Sequence, residues 1–373
     1  MRGTFEITAT DPGSAARTGR IATAHGIIET PTFAPVASQG TVKALLHDQV
    51  ERLGAQVLLV NAYHLFLRPG PDVIEEAGGL HAFMSWPKPL LSDSGGFQIY
   101  SLSPLVKVSN EGVRFSSHLD GTKIFLRPED IVDVQKKLGT DIMMTLDYFL
   151  PFPSTQEKMK EAVRITSDWA RRSKKWFDQA PSRQLLWGIS QGSIFWDLRR
   201  QSIEDLLEAD FDGYALGGLG IGEPKTELLA ILEKADALLP RSKPRYLMGM
   251  GYAEDVIQAV ARGVDFFDCV LPTRNARNGT LFTSRGRIVL KHQKYARDFR
   301  PVDAGCDCTT CRNFSRAYLR HLHERDEISA SVLNTIHNLN FYLDIFKKIR
   351  QSIQSNSFPE FRDRMLHRIE EEE

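Results

Sequence analysis

The sequence predicts an α/β fold of the (β/α)-barrel type with a metal-binding appendage, and three observations predict it. Short apolar runs alternate with helical patterns about seven times, the rhythm of parallel strands joined by crossover helices. A polar residue or a glycine stands directly after six of these runs. Three cysteines then crowd into residues 306–311, where the alternation has stopped.

The apolar runs are residues 57–60, 90–91, 142–146, 185–189, 214–216, 246–248 and 266–267. They lack a clean in/out alternation, as expected of strands covered on both faces. Helical patterns lie between most of them, at 128–138, 155–179, 194–209, 225–239 and 253–262. Ser154, ahead of Thr155 and Gln156, reads as a helix start. Asn61, Asp93, Asp147, Gln191, the pair Gly217-Gly218, and Asp268 are the residues that follow the runs. In a β/α barrel such strand ends open on one face, where catalytic groups sit. The competing reading is that each caps the next helix, and Asp93-Ser94 has the chemistry to do so.

Composition narrows the class. The chain has 373 residues, 42% of them hydrophobic and 25% charged, enough for a sizeable core. Its 47 Lys and Arg balance 47 Asp and Glu. No global basic field exists, so contact with nucleic acid must rest on a local patch. No run of 18 apolar residues occurs, and Met1-Arg2-Gly3-Thr4-Phe5 carries no apolar signal core. The expectation is a cytoplasmic protein without membrane spans.

After Asp268 the pattern changes. Residues 270–312 are rich in Arg, Gly and Asn, and helical stretches follow at 313–325 and 327–350. Cys306, Cys308 and Cys311 place three thiolates within six residues, and zinc favours three cysteines and a histidine in closed sites. His337 is the best placed fourth ligand; His321 and His323 remain alternatives. Nothing in the spacing suggests an open coordination position, so one structural Zn²⁺ is expected. Residues 274–300 hold eight Lys or Arg against Asp298 alone, which supplies the local basic patch. Arg171-Arg172 and Lys174-Lys175 read as a solvated helix face, and Glu370-Glu371-Glu372-Glu373 as a frayed end.

Four motifs in order then carry a resemblance. They are Ser92-Asp93-Ser94-Gly95-Gly96-Phe97-Gln98, Gly217-Gly218-Leu219-Gly220-Ile221-Gly222-Glu223, the segment 268–279 beginning Asp268-Cys269-Val270-Leu271-Pro272, and the cysteine cluster with a distant histidine. Together they closely resemble the bacterial type of tRNA-guanine transglycosylase, or queuine tRNA-ribosyltransferase, from about Phe5 to about Tyr342. The resemblance implies an irregular (β/α)8 TIM barrel with a C-terminal zinc-binding subdomain, usually as a homodimer. It implies residues 1–269 and 340–373 as the barrel, and 270–339 as the basic loop and zinc subdomain. It further implies exchange of the wobble guanine in GUN-anticodon tRNAs for a 7-deazaguanine, on the way to queuosine.

The resemblance also implies roles residue by residue. Asp268 matches the nucleophile and Asp93 the general acid/base. Asp147 and Gln191 match readers of the base edge, with backbone help from Gly218 and Leu219. Phe97 and Met248 match the two sides of the base sandwich, and Arg274 and Arg277 match residues that grip the anticodon. Cys306, Cys308, Cys311 and His337 match the zinc ligands. The roles are chemically sound: two carboxylates suit glycosidic exchange with retention, and an aspartate accepts from the N1 and N2 donors of guanine. A stacked aromatic adds ~1–3 kcal/mol per base.

This chain departs from the family pattern at two places. Tyr148-Phe149 stands where Glu-Cys is usual after Asp147, and Gly220-Ile221 stands where Ala-Val is usual. The expected incoming base is preQ1, with direct use of queuine as the alternative. A non-catalytic RNA-binding subunit of a heterodimer, an archaeal D-arm enzyme and a sugar-cleaving barrel are the competing functions. Both aspartates argue against the first. The lack of a C-terminal extension argues against the second, and the zinc and basic regions against the third.

Overall fold

The chain is described by a computed structural model covering residues 3–102 and 106–370. The expected frayed end at Glu371-Glu372-Glu373 lies outside the described residues, as do Met1 and Arg2.

Eight parallel strands form the centre: β1 (Thr32–Pro35), β2 (Leu58–Val60), β3 (Leu90–Ser92), β4 (Ile142–Met144), β5 (Leu185–Ser190), β6 (Gly213–Leu216), β7 (Arg245–Leu247) and β8 (Phe266–Cys269). Each pairs with its sequence neighbour from β2 to β8, and β8 pairs back onto β1. The ring closes where Val36 bridges Leu59 and Ala37 N–H donates to the Leu59 carbonyl at 2.6 Å. The predicted barrel is therefore present. The sequence pattern shows seven of its strands; β1 escapes because Pro31 and Pro35 interrupt its apolar residues.

Successive strand residues divide between two cores, as the two-residue side-chain period requires. Leu59, Leu91, Ile142, Met144, Trp187, Tyr246 and Phe266 fill the lumen. Leu58, Val60, Leu90, Met143, Leu186, Leu247 and Phe267 join the layer beneath the helices. The helices at Pro128–Leu138, Gln156–Phe177, Trp196–Ala209, Lys225–Leu238 and Ala253–Val260 lie within two residues of their predicted bounds. One local expectation is corrected. Thr155, not Ser154, caps the long helix by accepting from Lys158 N–H, while Ser154 Oγ bonds the Pro151 carbonyl at 2.5 Å.

The lumen is plugged at the N-terminal end by an antiparallel sheet, Phe5–Thr10, Arg17–Thr23 and Gly26–Thr30, which contributes Ile21 and Ile28. Phe5–Thr10 alternates half-buried and exposed residues, the period-two signal of a strand. Two buried aspartates anchor this plug. Asp265 accepts from Arg17 at 2.9 and 2.6 Å and from Arg245 N–H at 2.8 Å. Asp141 accepts from the His25 ring at 2.9 Å and the His81 ring at 3.1 Å, and from Leu90 N–H at 2.9 Å. His25 and His81 stack at 3.5 Å, nearly parallel. Each ring turns one nitrogen to a different oxygen of this carboxylate, His25 Nδ1 to Oδ1 and His81 Nε2 to Oδ2, and each such bond needs an N–H on the ring.

The helix Ile328–Gln354 ties the appendage to the barrel. Asn338 accepts from Phe282 N–H and donates to the Pro272 and Thr280 carbonyls. Further along, Tyr342, Ile345, Phe346 and Ile349 join the outer barrel core.

A carboxylate-lined barrel mouth as candidate functional site

Three aspartates meet at the C-terminal ends of the strands. Asp93 follows β3 and is almost wholly buried. Its Oδ1 accepts from Ala62 N–H at 2.9 Å and its Oδ2 from Asn61 Nδ2 at 2.6 Å. It thus helps cap Ala62–Leu67, the helix after β2, and also bonds the Gly95 backbone in its own turn. Burial raises its pKa against the Ala62 hydrogen bond, and the charge of Asp268 raises it further, to about 7. Asp147 adds a smaller push in the same direction.

Asp268 lies within β8, with β1 and β2 between it and β3 around the ring. Its Oδ1 accepts from the Tyr246 hydroxyl at 2.5 Å and from Gly249 N–H at 2.8 Å. Burial lifts its pKa too, although both hydrogen bonds oppose the shift. Tyr246 is a residue sequence reasoning missed: it reads as one more apolar position of β7, and only the barrel brings its hydroxyl under the β8 carboxylate.

Asp147 forms the third corner. Ser94 Oγ donates to its Oδ1 at 3.1 Å and Gln191 Nε2 to its Oδ2 at 2.7 Å. Burial raises its pKa, and these bonds offset part of the rise. Gln191 Oε1 is buried with no partner among the described residues. The backbone beside it must be glycine: a Cβ on Gly218, at φ +65°, would lie 2.4 Å from Gln191 Oε1. The next loop is fixed by Glu223, the last residue of the second motif and one given no role from the sequence, whose carboxylate accepts from Gly220 N–H and from Ile221 N–H at 3.0 Å.

Phe97, on the helix after Asp93, is 50% exposed, whereas its neighbour Phe149 is buried. Their rings meet edge to face at 5.1 Å, and Tyr100 contacts Phe149 at 5.5 Å. Such aromatic pairs add about 0.5–1.5 kcal/mol beyond area burial. Leu219 is buried, and Met248 packs half-buried on the lumen cluster. Arg274 and Arg277 follow Asp268 on the helix Leu271–Arg277; Arg274 is exposed and Arg277 donates to the Thr273 carbonyl.

The metal cluster lies apart from the acids. Cys306, Cys308, Cys311 and His337 come together, with sulfur to His337 Nδ1 distances of 3.7, 3.7 and 3.3 Å. His337 turns Nε2 to the Phe282 carbonyl at 2.7 Å. A carbonyl only accepts, so Nε2 carries the proton and Nδ1 faces the sulfurs bare, as a metal ligand must. The three thiols and one imidazole could hold a metal ion. His321 and His323 are not members of the cluster.

The basic region opens as a groove lined by Arg285, Arg287, Lys294, Arg300, Arg316 and Arg368. Arg300 and Arg316 share Asp298 within it. Arg172, expected on a solvated face, instead binds Glu129 at 2.8 Å and the Asn110 carbonyl at 2.6 Å. No helix of the described residues is long and apolar enough to cross a membrane.

Comparison with known proteins fits this arrangement. The family model described as queuine tRNA-ribosyltransferase matches residues 11–371. The chain belongs to that family. Queuine tRNA-ribosyltransferase of Thermodesulfovibrio yellowstonii is 51% identical over 95% of this chain and 93% of its own length. That of Nitratidesulfovibrio vulgaris is 51% identical over 96% of each chain. That of Aquifex aeolicus is 50% identical over 95% of this chain and 96% of its own.

Proposed function

We propose that this chain is a tRNA-guanine transglycosylase that replaces the wobble guanine of GUN-anticodon tRNAs with a 7-deazaguanine, in queuosine synthesis. One observation carries the proposal: Asp93 and Asp268 stand at one barrel mouth, close enough for the charge of one to raise the pKa of the other.

The chemistry follows from their surroundings. Asp268 holds Tyr246 and Gly249 on Oδ1 and keeps Oδ2 for bond formation. That oxygen attacks ribose C1′ as the guanine leaves, giving a covalent enzyme–RNA intermediate. Asp93, with its pKa near neutrality, protonates the departing base and deprotonates the incoming one. Asp147 accepts from the N1 and N2 donors of the base, and Gln191 with Gly218 and Leu219 serves its O6 edge. Phe97 and Met248 flank the ring. The base leaves its stack to reach the mouth, while Arg274, Arg277 and the basic groove take the backbone.

Cys306, Cys308, Cys311 and His337 hold one structural Zn²⁺ in this proposal; the donor set and the bare Nδ1 suit it. Zinc held there would cross-link the cysteine loop to the helix Ile328–Gln354 within residues 270–339, and that helix runs on into the barrel formed by 1–269 and 340–373. The working form is a cytoplasmic homodimer, a reading drawn from the family resemblance.

The test is incorporation of labelled guanine into a GUN-anticodon tRNA. Wild type incorporates label, and Asp268→Asn neither incorporates it nor traps RNA covalently. Trapping by that variant would remove Asp268 from the role. PreQ1 is the proposed incoming base; a competition assay in which queuine wins would replace it.

A further inference from the structure

The helix Trp196–Ala209 carries a charge that the chemistry above does not use. Arg199, in its first turn, has none of its surface exposed. Its Nη1 donates to the Ser190 carbonyl at 2.7 Å and to Ser190 Oγ at 3.2 Å. Its Nη2 donates to the Gly217 carbonyl at 2.8 Å and the Ser193 carbonyl at 3.3 Å. All four acceptors are uncharged, and Nε is buried with no acceptor among the described residues. Burial pulls its pKa down to about 9, with Glu223 opposing the shift. A guanidinium held without a bonded carboxylate is costly to bury, and an apolar side chain would fill the volume more cheaply. Packing alone does not account for it.

The bonds give it a task. Ser190 ends β5, and Gly217 directly follows β6. Gly217 N–H also donates to the Ser190 carbonyl, at 2.9 Å. Arg199 therefore gathers the carbonyls on either side of the Gln191-Gly192 turn and the one before Gly218. In a trans peptide the carbonyl and the following N–H point opposite ways. Pinning the Gly217 oxygen aims the Gly218 N–H away from Arg199. The fit is tight: a Cβ on Gly192, at φ +138°, would lie 2.6 Å from Arg199 N.

We infer that Arg199 is a positioning residue, whose guanidinium locks the Gly217-Gly218 peptide and the Gln191 turn in the orientation that reads the base edge. This rests on the transglycosylase reading. Arg199→Lys keeps the charge but offers a point donor rather than a planar fork. Arg199→Met keeps bulk alone, and Arg199→Ala leaves room for methylguanidinium.

The experiment measures guanine exchange by wild type and the three variants, varying base and tRNA separately, beside thermal unfolding. The KM for the base rises about tenfold or more in Arg199→Met, as expected for a misaligned hydrogen-bonding edge. The KM for tRNA stays within about twofold. Arg199→Lys falls between wild type and Arg199→Met, and added methylguanidinium lowers the base KM of Arg199→Ala. Folded variants with unchanged base KM, equal rises in both KM values, or variants that all unfold with no rescue would each overturn the inference and leave Arg199 merely structural. Failure of wild type to exchange guanine at all would instead bring down the transglycosylase reading, and the inference with it.

Discussion

At the N-terminal end of the strands, Asp265 is gripped by the Arg17 guanidinium and Asp141 by two histidine rings and backbone N–H groups. Burial pushes the Asp141 pKa up, but the hydrogen bonds from His81, Leu90 and His25 outweigh it and hold it below the ordinary value. At the C-terminal end, Asp93 and Asp147 are buried and Asp268 is half-buried, with neutral donors and with one another, and all three pKa values are raised. The same side chain at two ends of one barrel thus does two jobs. Cationic and fully hydrogen-bonded partners turn a buried carboxylate into an anchor. Neutral partners and like charges leave it poised to exchange protons or bonds, at a cost in stability.

The sharpest break of this contrast is Asp268→Asn. Exchange should fall by roughly 10⁴-fold or more, as when a covalent nucleophile is removed. The melting temperature should hold or rise, because a carboxylate with a raised pKa disfavours the fold at neutral pH. A large drop in melting temperature would make Asp268 an anchor and erase the distinction between the ends.

Asp265→Ala is the mirror experiment. It strands the buried Arg17 charge and should cost about 3–5 kcal/mol in urea unfolding. Exchange per folded molecule should be unchanged, so a selective loss of activity would blur the contrast from the other side.

pH separates the ends more gently. With its pKa raised to about 7, Asp93 loses the proton it gives to the leaving base as pH rises. The kcat should therefore decline above neutrality, approaching about tenfold per pH unit. A flat profile from slightly acid to alkaline pH would remove Asp93 as the acid. Asp141 has the opposite sign. Its pKa is depressed, so its contribution to stability is full above the ordinary carboxylate value of about 3.9 and is lost as pH falls through the lower folded value. Urea unfolding of wild type and Asp141→Asn should differ at near-neutral pH and converge in strong acid.

The smallest effect is expected at Phe149→Cys, which removes the edge-to-face support of Phe97. The relative kcat/KM for preQ1 and queuine should shift several-fold, within what an aromatic pair contributes. No shift would mean that Phe149 packs the wall without setting base choice.

Much of this contrast is legible in the sequence at one end only. Asp93, Asp147, Gln191 and Asp268 stand out because each breaks an apolar run, and a barrel puts all such breaks on one face. Asp141 and Asp265 precede their strands in polar loops, where an aspartate draws no notice. Their partners are distant in sequence: Arg17 lies 248 residues from Asp265, and His25 lies 116 from Asp141. The small sheet at Lys107–Val108, Val113–Ser116 and Lys123–Leu126 goes unread because its strands are short, and the helix Phe358–Glu370 goes unread although Phe358, Phe361 and Met365 recur at helical spacing and join the outer barrel core.

The sequence alone determines the alternation of strand and helix, the set of polar residues at the strand ends, and three thiols close enough to share a metal. These are local properties, set by side-chain period and spacing along the chain. Ring closure at Val36 and Leu59 is decided by tertiary structure alone. So are the bare Nδ1 that His337 turns to the cysteines, the Tyr246 hydroxyl beneath Asp268, and the burial and neighbouring charge that raise Asp93 to about 7. Each depends on distances across the fold, and both burial and the field of a neighbouring charge are properties of space rather than of sequence order.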